Sequence, residues 1–125
     1  MVWLAWDYDY GEDGQRQDLS WAAALYRAAA AQNLTTAQYR LGRNFEDGRG
    51  VPQNSKKAAK FVSDAIYHGD KKALAHLSQT TDQWSKAFWM EMQHSMKELG
   101  IYKAKTDGNV GPDTLAGLKK LAAPE

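Results

Sequence analysis

The chain has 125 residues and a formal net charge of +1, with 16 basic and 15 acidic side chains. This balance provides no general basic surface for nucleic acid or for an anionic membrane, and the absence of cysteine excludes disulfides and thiolate zinc sites. Apolar residues make up 43% of the chain and alanine is abundant, whereas strand-type alternation is scarce. We therefore predict an all-α fold, as one domain or as two small units that share a core.

The first ten residues, MVWLAWDYDY, contain neither a basic leader nor a long apolar stretch. We therefore predict no signal peptide and no membrane insertion. We expect a cytoplasmic protein if Met1 is the native start, and a periplasmic or cell-envelope one if the chain is a fragment of a larger protein. The acidic stretch DYDYGEDG has Glu12 where a calcium-binding loop requires glycine, so we expect no calcium there.

An internal repeat becomes visible when residues 18–33, DLSWAAALYRAAAAQN, are aligned with residues 54–69, NSKKAAKFVSDAIYHG, at an offset of 36 residues. In both segments apolar residues recur at steps of three and four, the pattern of a helix with one buried face. Asp18 and Asn54 are suited to cap the two helices at their N-termini, and Gly69 is suited to end the second.

Another helix is predicted between these two segments. It would be capped by Thr35 or Thr36 and would pack through Leu41, Gly42 and Phe45. The following stretch, DGRGVPQN, has glycines for turning and a proline that blocks helix continuation, so it predicts the loop inside a helical hairpin. The chain is therefore expected to form stacked αα-hairpins.

This part of the chain resembles the Sel-1-like repeat family, which is related to the tetratricopeptide repeats. The family pattern is Leu-Gly, an aromatic residue, Gly-x-Gly-Val, Lys-Ala and a closing Gly. It is matched here by Leu41-Gly42, Phe45, Gly48, Gly50-Val51, Lys57-Ala58 and Gly69. The match is specific over residues 37–77 and weaker over residues 3–33. The resemblance implies a short right-handed solenoid of hairpins whose task is protein–protein contact.

The concave face of such a solenoid is where we expect a protein partner to bind. The candidate partner-binding residues are Trp3, Trp6, Tyr10, Arg40, Arg43 and Asn44. For Trp3 and Trp6, the alternative is that both rings pack onto the next helices as part of the core.

The C-terminal part of the chain predicts two further helices. The first has an apolar stripe of Trp89, Met92, Met96 and Leu99 and ends at Gly100. The second begins at Pro112, whose missing amide costs nothing at a helix start, and its apolar stripe is Leu115, Leu118 and Leu121. Between them, TDGNVGPDT is expected to form a tight turn that leads into the second helix.

This C-terminal region also resembles the peptidoglycan-binding-domain family of small three-helix modules. The matching positions are Met92-Gln93, Leu99-Gly100, Tyr102, Asp107-Gly108, Gly111-Pro112 and Thr114. The resemblance implies a ligand groove whose candidate residues are Tyr102, Asp107, Asn109 and Thr114. Each also has a structural alternative, namely a core position for Tyr102, a turn cap for Asp107 and a helix start for Thr114. We divide the chain into hairpin repeats over 1–80 and a peptidoglycan-binding-like unit over 81–125.

No group of side chains in the sequence resembles a catalytic centre. His68, His76 and His94 fall in separate helical segments without metal-ligand spacing, and phosphate-binding and nucleophile motifs are absent. We therefore predict a non-enzymatic protein that uses no cofactor and no metal.

The main functional hypothesis is a protein–protein interaction or scaffold module of a bacterial envelope or regulatory protein. One alternative is a peptidoglycan-binding module, and another is a toxin-neutralising or enzyme-inhibiting protein of the immunity type. The expected partner is a protein, with peptidoglycan as the second candidate and no role for nucleic acid.

Overall fold

The structure, a computed structural model, describes residues 19–32 and 34–122. In these ranges the backbone forms six α-helices, one 3-10 turn and no strand, which confirms the predicted all-α class. The helices are α1 (Leu19–Ala30), α2 (Thr35–Asp47), α3 (Ser55–Tyr67), α4 (Lys71–Gln79), α5 (Lys86–Glu98) and α6 (Pro112–Ala122).

Helices α2 and α3 form the hairpin that the repeat pattern predicts. The loop between them turns at Gly48 and Gly50, which adopt positive φ angles of 72° and 73°. The side chain of Asn54 caps α3 by accepting a 3.0 Å hydrogen bond from the amide of Lys57. Gly69, with φ at 90°, follows the end of α3 in the left-handed conformation that favours glycine.

The two helices of this hairpin approach most closely at Gly42. A Cβ atom at this position would lie 2.6 Å from Cγ2 of Val62 and 3.0 Å from the carbonyl oxygen of Ala58. Ala58 and Val62 are both fully buried. The predicted role of small residues in close helix packing is therefore confirmed at the α2–α3 interface.

Helices α4 and α5 follow and are connected through the 3-10 turn Thr81–Gln83. Asp70 caps α4 by accepting from the amide of Ala73 at 2.9 Å, and Ser85 caps α5 by accepting from the amide of Phe88 at 3.1 Å. Helix α5 packs against α3, whereas α4 packs against α3 and α6.

A buried carboxylate connects the α2–α3 hairpin to the start of α5. Glu46, near the end of α2, is only 8% exposed. Its Oε1 accepts from the hydroxyl of Ser55 at 2.8 Å, and its Oε2 accepts from the backbone amide of Ser85 at 2.6 Å. Ser55 is the first residue of α3, and Ser85 immediately precedes α5. The side chain of Glu46 therefore fixes the starts of α3 and α5 relative to α2.

Helix α6 packs against α3, α4 and α5. Its Leu118 and Leu121 are buried, and Gly117 lets it approach α5, since a Cβ there would lie 3.0 Å from Sδ of Met96. One hydrophobic cluster extends from Tyr26 in α1 to Leu121. The predicted boundary between the hairpin repeats (1–80) and the peptidoglycan-binding-like unit (81–125) falls between α4 and α5. This division stays a prediction.

Three local predictions are wrong. Neither Thr35 nor Thr36 caps α2, because both lie within its first turn and Leu34 occupies the N-cap without a side-chain hydrogen bond. Leu99 is 59% exposed, because it follows the last helical turn of α5. Leu115 is 36% exposed, because the buried face of α6 consists of Thr114, Gly117, Leu118 and Leu121.

No described helix has both the length and the apolar character needed to cross a membrane.

The close approach at Gly42 predicts that Gly42→Ala destabilises the protein. Alanine favours a helix over glycine by about 1 kcal/mol, but the added methyl group must displace Val62 or the backbone of α3. We expect a net loss of about 1–2 kcal/mol in the free energy of unfolding, measured by urea denaturation.

Gly111→Ala is the matched control for this substitution. Gly111 does not require a positive φ, and no neighbouring heavy atom lies within 4 Å of a Cβ there. Its free energy of unfolding should stay within about 0.5 kcal/mol of wild type. Equal stability of the two variants would show that α2 and α3 are not in tight contact.

Candidate functional site

A groove of about 490 Å³ lies between α2 and α4. Helix α2 contributes Thr36, Tyr39, Arg40 and Arg43, which are spaced along one side of the helix. The other wall is formed by Asp70, Lys72, Ala73 and His76. These residues come together only because α4 and α5 both pack against α3.

A direct hydrogen bond joins the two walls of the groove. Oη of Tyr39 lies 2.5 Å from Nδ1 of His76, and the two rings meet edge to face at a centroid distance of 5.5 Å. Burial raises the pKa of Tyr39 to about 12, and the nearby positive charge of Arg43 opposes this shift only in part. The phenol therefore stays protonated at neutral pH and can donate to a neutral His76.

Arg43 connects α2 to the turn that follows α4. Its Nε donates to Oδ2 of Asp47 at 2.9 Å, and its Nη1 donates to the carbonyl oxygen of Gln83 at 2.7 Å. The guanidinium carbon also lies 4.6 Å from the centroid of the Trp84 ring, a distance suited to a cation–π contact. Arg43 therefore holds α2 against the turn that follows α4, and it also lines the groove.

The structure brings together only part of the predicted partner-binding set. Arg40 and Arg43 both line the groove. Asn44 is only 3% exposed, so its side chain is not available at this surface. Trp3, Trp6 and Tyr10 lie outside the described residues. Sequence reasoning missed the second wall, because nothing in the pattern around Lys72 and His76 places α4 alongside α2.

The loop between α5 and α6 is held by one buried amide side chain, that of Gln93. Its Oε1 accepts from the amide of Gly108 at 2.8 Å, and its Nε2 donates to the carbonyl oxygen of Asn109 at 2.9 Å and to the hydroxyl of Thr114 at 3.0 Å. Gln93 is fully buried. In the sequence, this role is indicated by the position of Gln93, a polar residue beside Met92 on the apolar stripe of α5.

The four residues proposed as ligand-binding have different positions in this loop. Tyr102 and Thr114 are 5% and 1% exposed, and the Tyr102 hydroxyl donates to the carbonyl oxygen of Lys105. Asp107 and Asn109 lie at the surface, where Oδ1 of Asp107 accepts from the Asn109 amide at 3.0 Å. That hydrogen bond is the main reason why the pKa of Asp107 is lowered. The side chains of Tyr102 and Thr114 therefore make structural contacts, whereas those of Asp107 and Asn109 lie at the surface.

A second cavity, of about 390 Å³, lies on another side of this loop. It is lined by Gly100, Ile101, Tyr102, Lys103, Ala104, Asp113, Ala116 and Lys120. Asp107 and Asn109 are not among its lining residues, so the four proposed ligand residues do not form one pocket.

Within residues 19–32 and 34–122, no three histidine or carboxylate side chains are close enough together to hold a metal ion. Nε2 of His94 lies 3.2 Å from Oε1 of Glu98, but both side chains are more than half exposed. The pair forms an ordinary surface contact along α5.

The repeat boundaries agree with a known family. The family model described as the Sel1 repeat matches residues 1–34 and 35–70, which together make up more than half of the chain. The chain belongs to the Sel1 repeat family. The second Sel1 match begins with α2, contains the whole α2–α3 hairpin and ends at Asp70, the N-cap of α4.

Sel1 repeats are generally non-catalytic modules for protein–protein interaction. Searches of curated proteins and of solved structures found no match to the chain.

The hydrogen bonds of Gln93 predict that Gln93→Met destabilises the C-terminal loop. Methionine preserves most of the side-chain volume but leaves the buried Gly108 amide without its acceptor. We expect a loss of about 2–4 kcal/mol in the free energy of unfolding. Hydrogen exchange of the backbone amides in residues 103–111 should become faster than in wild type.

Gln79→Met provides the control, because Gln79 is exposed at the end of α4. This variant should unfold within about 0.5 kcal/mol of wild type. Unchanged exchange in residues 103–111 of Gln93→Met would mean that the amide does not hold the loop.

Proposed function

We propose that this protein is a non-enzymatic scaffold that binds a partner protein in the groove between α2 and α4. The observation that carries the proposal is the groove itself. One wall, α2, is the first helix of the second Sel1 match, and the other wall, α4, follows that match directly. Its volume of about 490 Å³ is within the range of clefts that bind small ligands or short segments of chain. The charged rim of Arg40, Arg43 and Lys72 supplies the polar groups that give such a site its specificity.

The setting that we propose is a bacterial envelope or a bacterial regulatory complex. The resemblance of the C-terminal segment to peptidoglycan-binding modules supports the envelope. Separation of the native host into cytoplasmic, periplasmic and envelope fractions, followed by immunoblotting, tests this part of the proposal.

The groove predicts where a partner will be crosslinked. A photoreactive phenylalanine analogue placed at Thr36 or Lys72 should crosslink one recurrent host protein, which mass spectrometry can identify. The same analogue at Lys60 or Lys97, exposed residues that do not line the groove, serves as the matched control. Crosslinks to that protein only from the control positions, or from none, would refute the proposed binding face.

The identity of the crosslinked protein also distinguishes a scaffold from an inhibitor. A protein of the immunity type would yield a single enzyme in a tight one-to-one complex, and adding the purified chain would abolish that enzyme's activity. A scaffold would yield a partner whose own activity is unchanged by binding.

The second candidate function is peptidoglycan binding through the loop between α5 and α6. It is favoured by the way in which Gln93 holds this loop in one conformation with Asp107 and Asn109 at the surface. A preformed loop lowers the ordering cost of binding a glycan or a stem peptide.

Sedimentation with protein-free sacculi tests this second candidate. Wild-type protein should pellet with the sacculi, and the double variant Asp107→Asn, Asn109→Ala should stay in the supernatant. Asparagine at position 107 can still accept the hydrogen bond that closes the turn, so the variant should remain folded. Lys97→Gln should pellet like wild type. If wild-type protein does not pellet, the loop has only a structural role.

A further inference from the structure

The α2–α4 groove carries more positive than negative charge, although the chain as a whole is nearly neutral. Among the residues that the structure describes, Arg40, Arg43 and Lys72 line it, and Asp70 is the one acidic residue that does; Arg43 is also paired with Asp47 at 2.9 Å. The carboxylate of Asp70 is already engaged as the cap of α4, where Oδ1 accepts from the Ala73 amide at 2.9 Å. The positive end of the α4 dipole offsets part of that negative charge. The groove therefore attracts anionic groups.

The guanidinium of Arg43 is held in place with donors to spare. Its Nε is bonded to Asp47, its Nη1 is bonded to the carbonyl oxygen of Gln83, and its plane rests near the Trp84 ring. In the part of the chain that the structure describes, nothing accepts a hydrogen bond from Nη2. A fixed guanidinium with unused N–H groups is well suited to bind a carboxylate, since little side-chain entropy is lost on binding.

The dimensions of the groove restrict the form of its occupant. Thr36 and Arg43 mark its extent along α2, a rise of about 10 Å at the helical spacing. An extended chain covers that distance with about three residues. At about 490 Å³ the groove has room for a short segment of that length.

We infer that the groove takes an extended, acidic segment of the partner protein, with carboxylates of Asp or Glu side chains bound by Arg43, Arg40 and Lys72. This inference rests on the protein-binding function proposed above and specifies the chemistry of the partner. Salt-dependent attraction would steer the segment into the groove, and the hydrogen bonds of Arg43 would fix it there.

Peptide titration tests the inference without knowledge of the partner. The probe is a fluorescein-labelled acidic hexapeptide of alternating Asp and Glu, and the control peptide replaces these residues with Asn and Gln. Fluorescence anisotropy should show binding of the acidic peptide only, and the affinity should fall as salt rises from about 0.05 M to about 0.5 M. Backbone amide shifts in nitrogen-15 spectra should concentrate in α2, in Asp70 and in α4.

Charge variants assign the binding to specific residues. Arg40→Gln and Lys72→Gln should each weaken binding of the acidic peptide about 2- to 5-fold, the range for exposed ion pairs. Lys60→Gln and Lys97→Gln remove the same charge from positions that do not line the groove, and should leave the affinity unchanged. The amide spectra of all four variants establish that each is folded.

Three results would overturn the inference: no binding of the acidic peptide, equal binding of the neutral peptide, or equal weakening by the groove and control variants. These results leave the proposed function intact if the host protein still crosslinks from Thr36 and Lys72, because only the chemistry of its segment is then wrong. Loss of those crosslinks refutes the proposed function itself.

Discussion

The close contact of α2 and α3 at Gly42 is the constraint on which the rest of the fold depends. With no side chain at this position, the methyl groups of Val62 and the backbone at Ala58 can approach α2 closely enough to exclude water. This contact sets the separation of the two helices, and α3 then presents the surface on which α5 and α6 pack. The absence of a side chain at Gly42 therefore influences the packing of the hydrophobic core, which extends from α1 to α6.

The sequence predicts the elements whose causes are local. Asn54 caps a helix, Gly48 turns the chain and Pro112 begins a helix because of conformational preferences that act over a few residues. The interactions of Glu46 with Ser85 and of Gln93 with Asn109 could not be predicted in this way, because their partners lie 39 and 16 residues away. In both cases the polar side chain is on a helix that is otherwise packed through apolar residues.

The candidate groove shows the same limit for function. Arg40 and Arg43 are on a single helix, so the repeat pattern and their charge are sufficient to nominate them. The opposite wall depends on how α4 packs beside the α2–α3 hairpin, and sequence periodicity does not specify that arrangement for Lys72 and His76. The sequence nominates Asn44 for the same surface because it is polar and close in sequence to the two arginines. Its side chain faces the core instead.

Several hydrogen bonds connect the α2–α3 hairpin to the α4–α5 segment, among them those from Tyr39 to His76, from Arg43 to the carbonyl oxygen of Gln83, and from the Ser85 amide to Glu46. Ser55 with Ser85 and Ser63 with Met92 add two between α3 and α5. The Tyr39–His76 bond joins α2 to α4 directly, and those of Arg43 and Glu46 join α2 to the segment that follows α4. For the binding proposed above, these contacts favour a groove that is formed before the segment arrives, so that the entropy lost on binding falls mainly on the segment. Among related segments, those already extended in solution would bind most tightly, and discrimination would come from their shape and charge spacing.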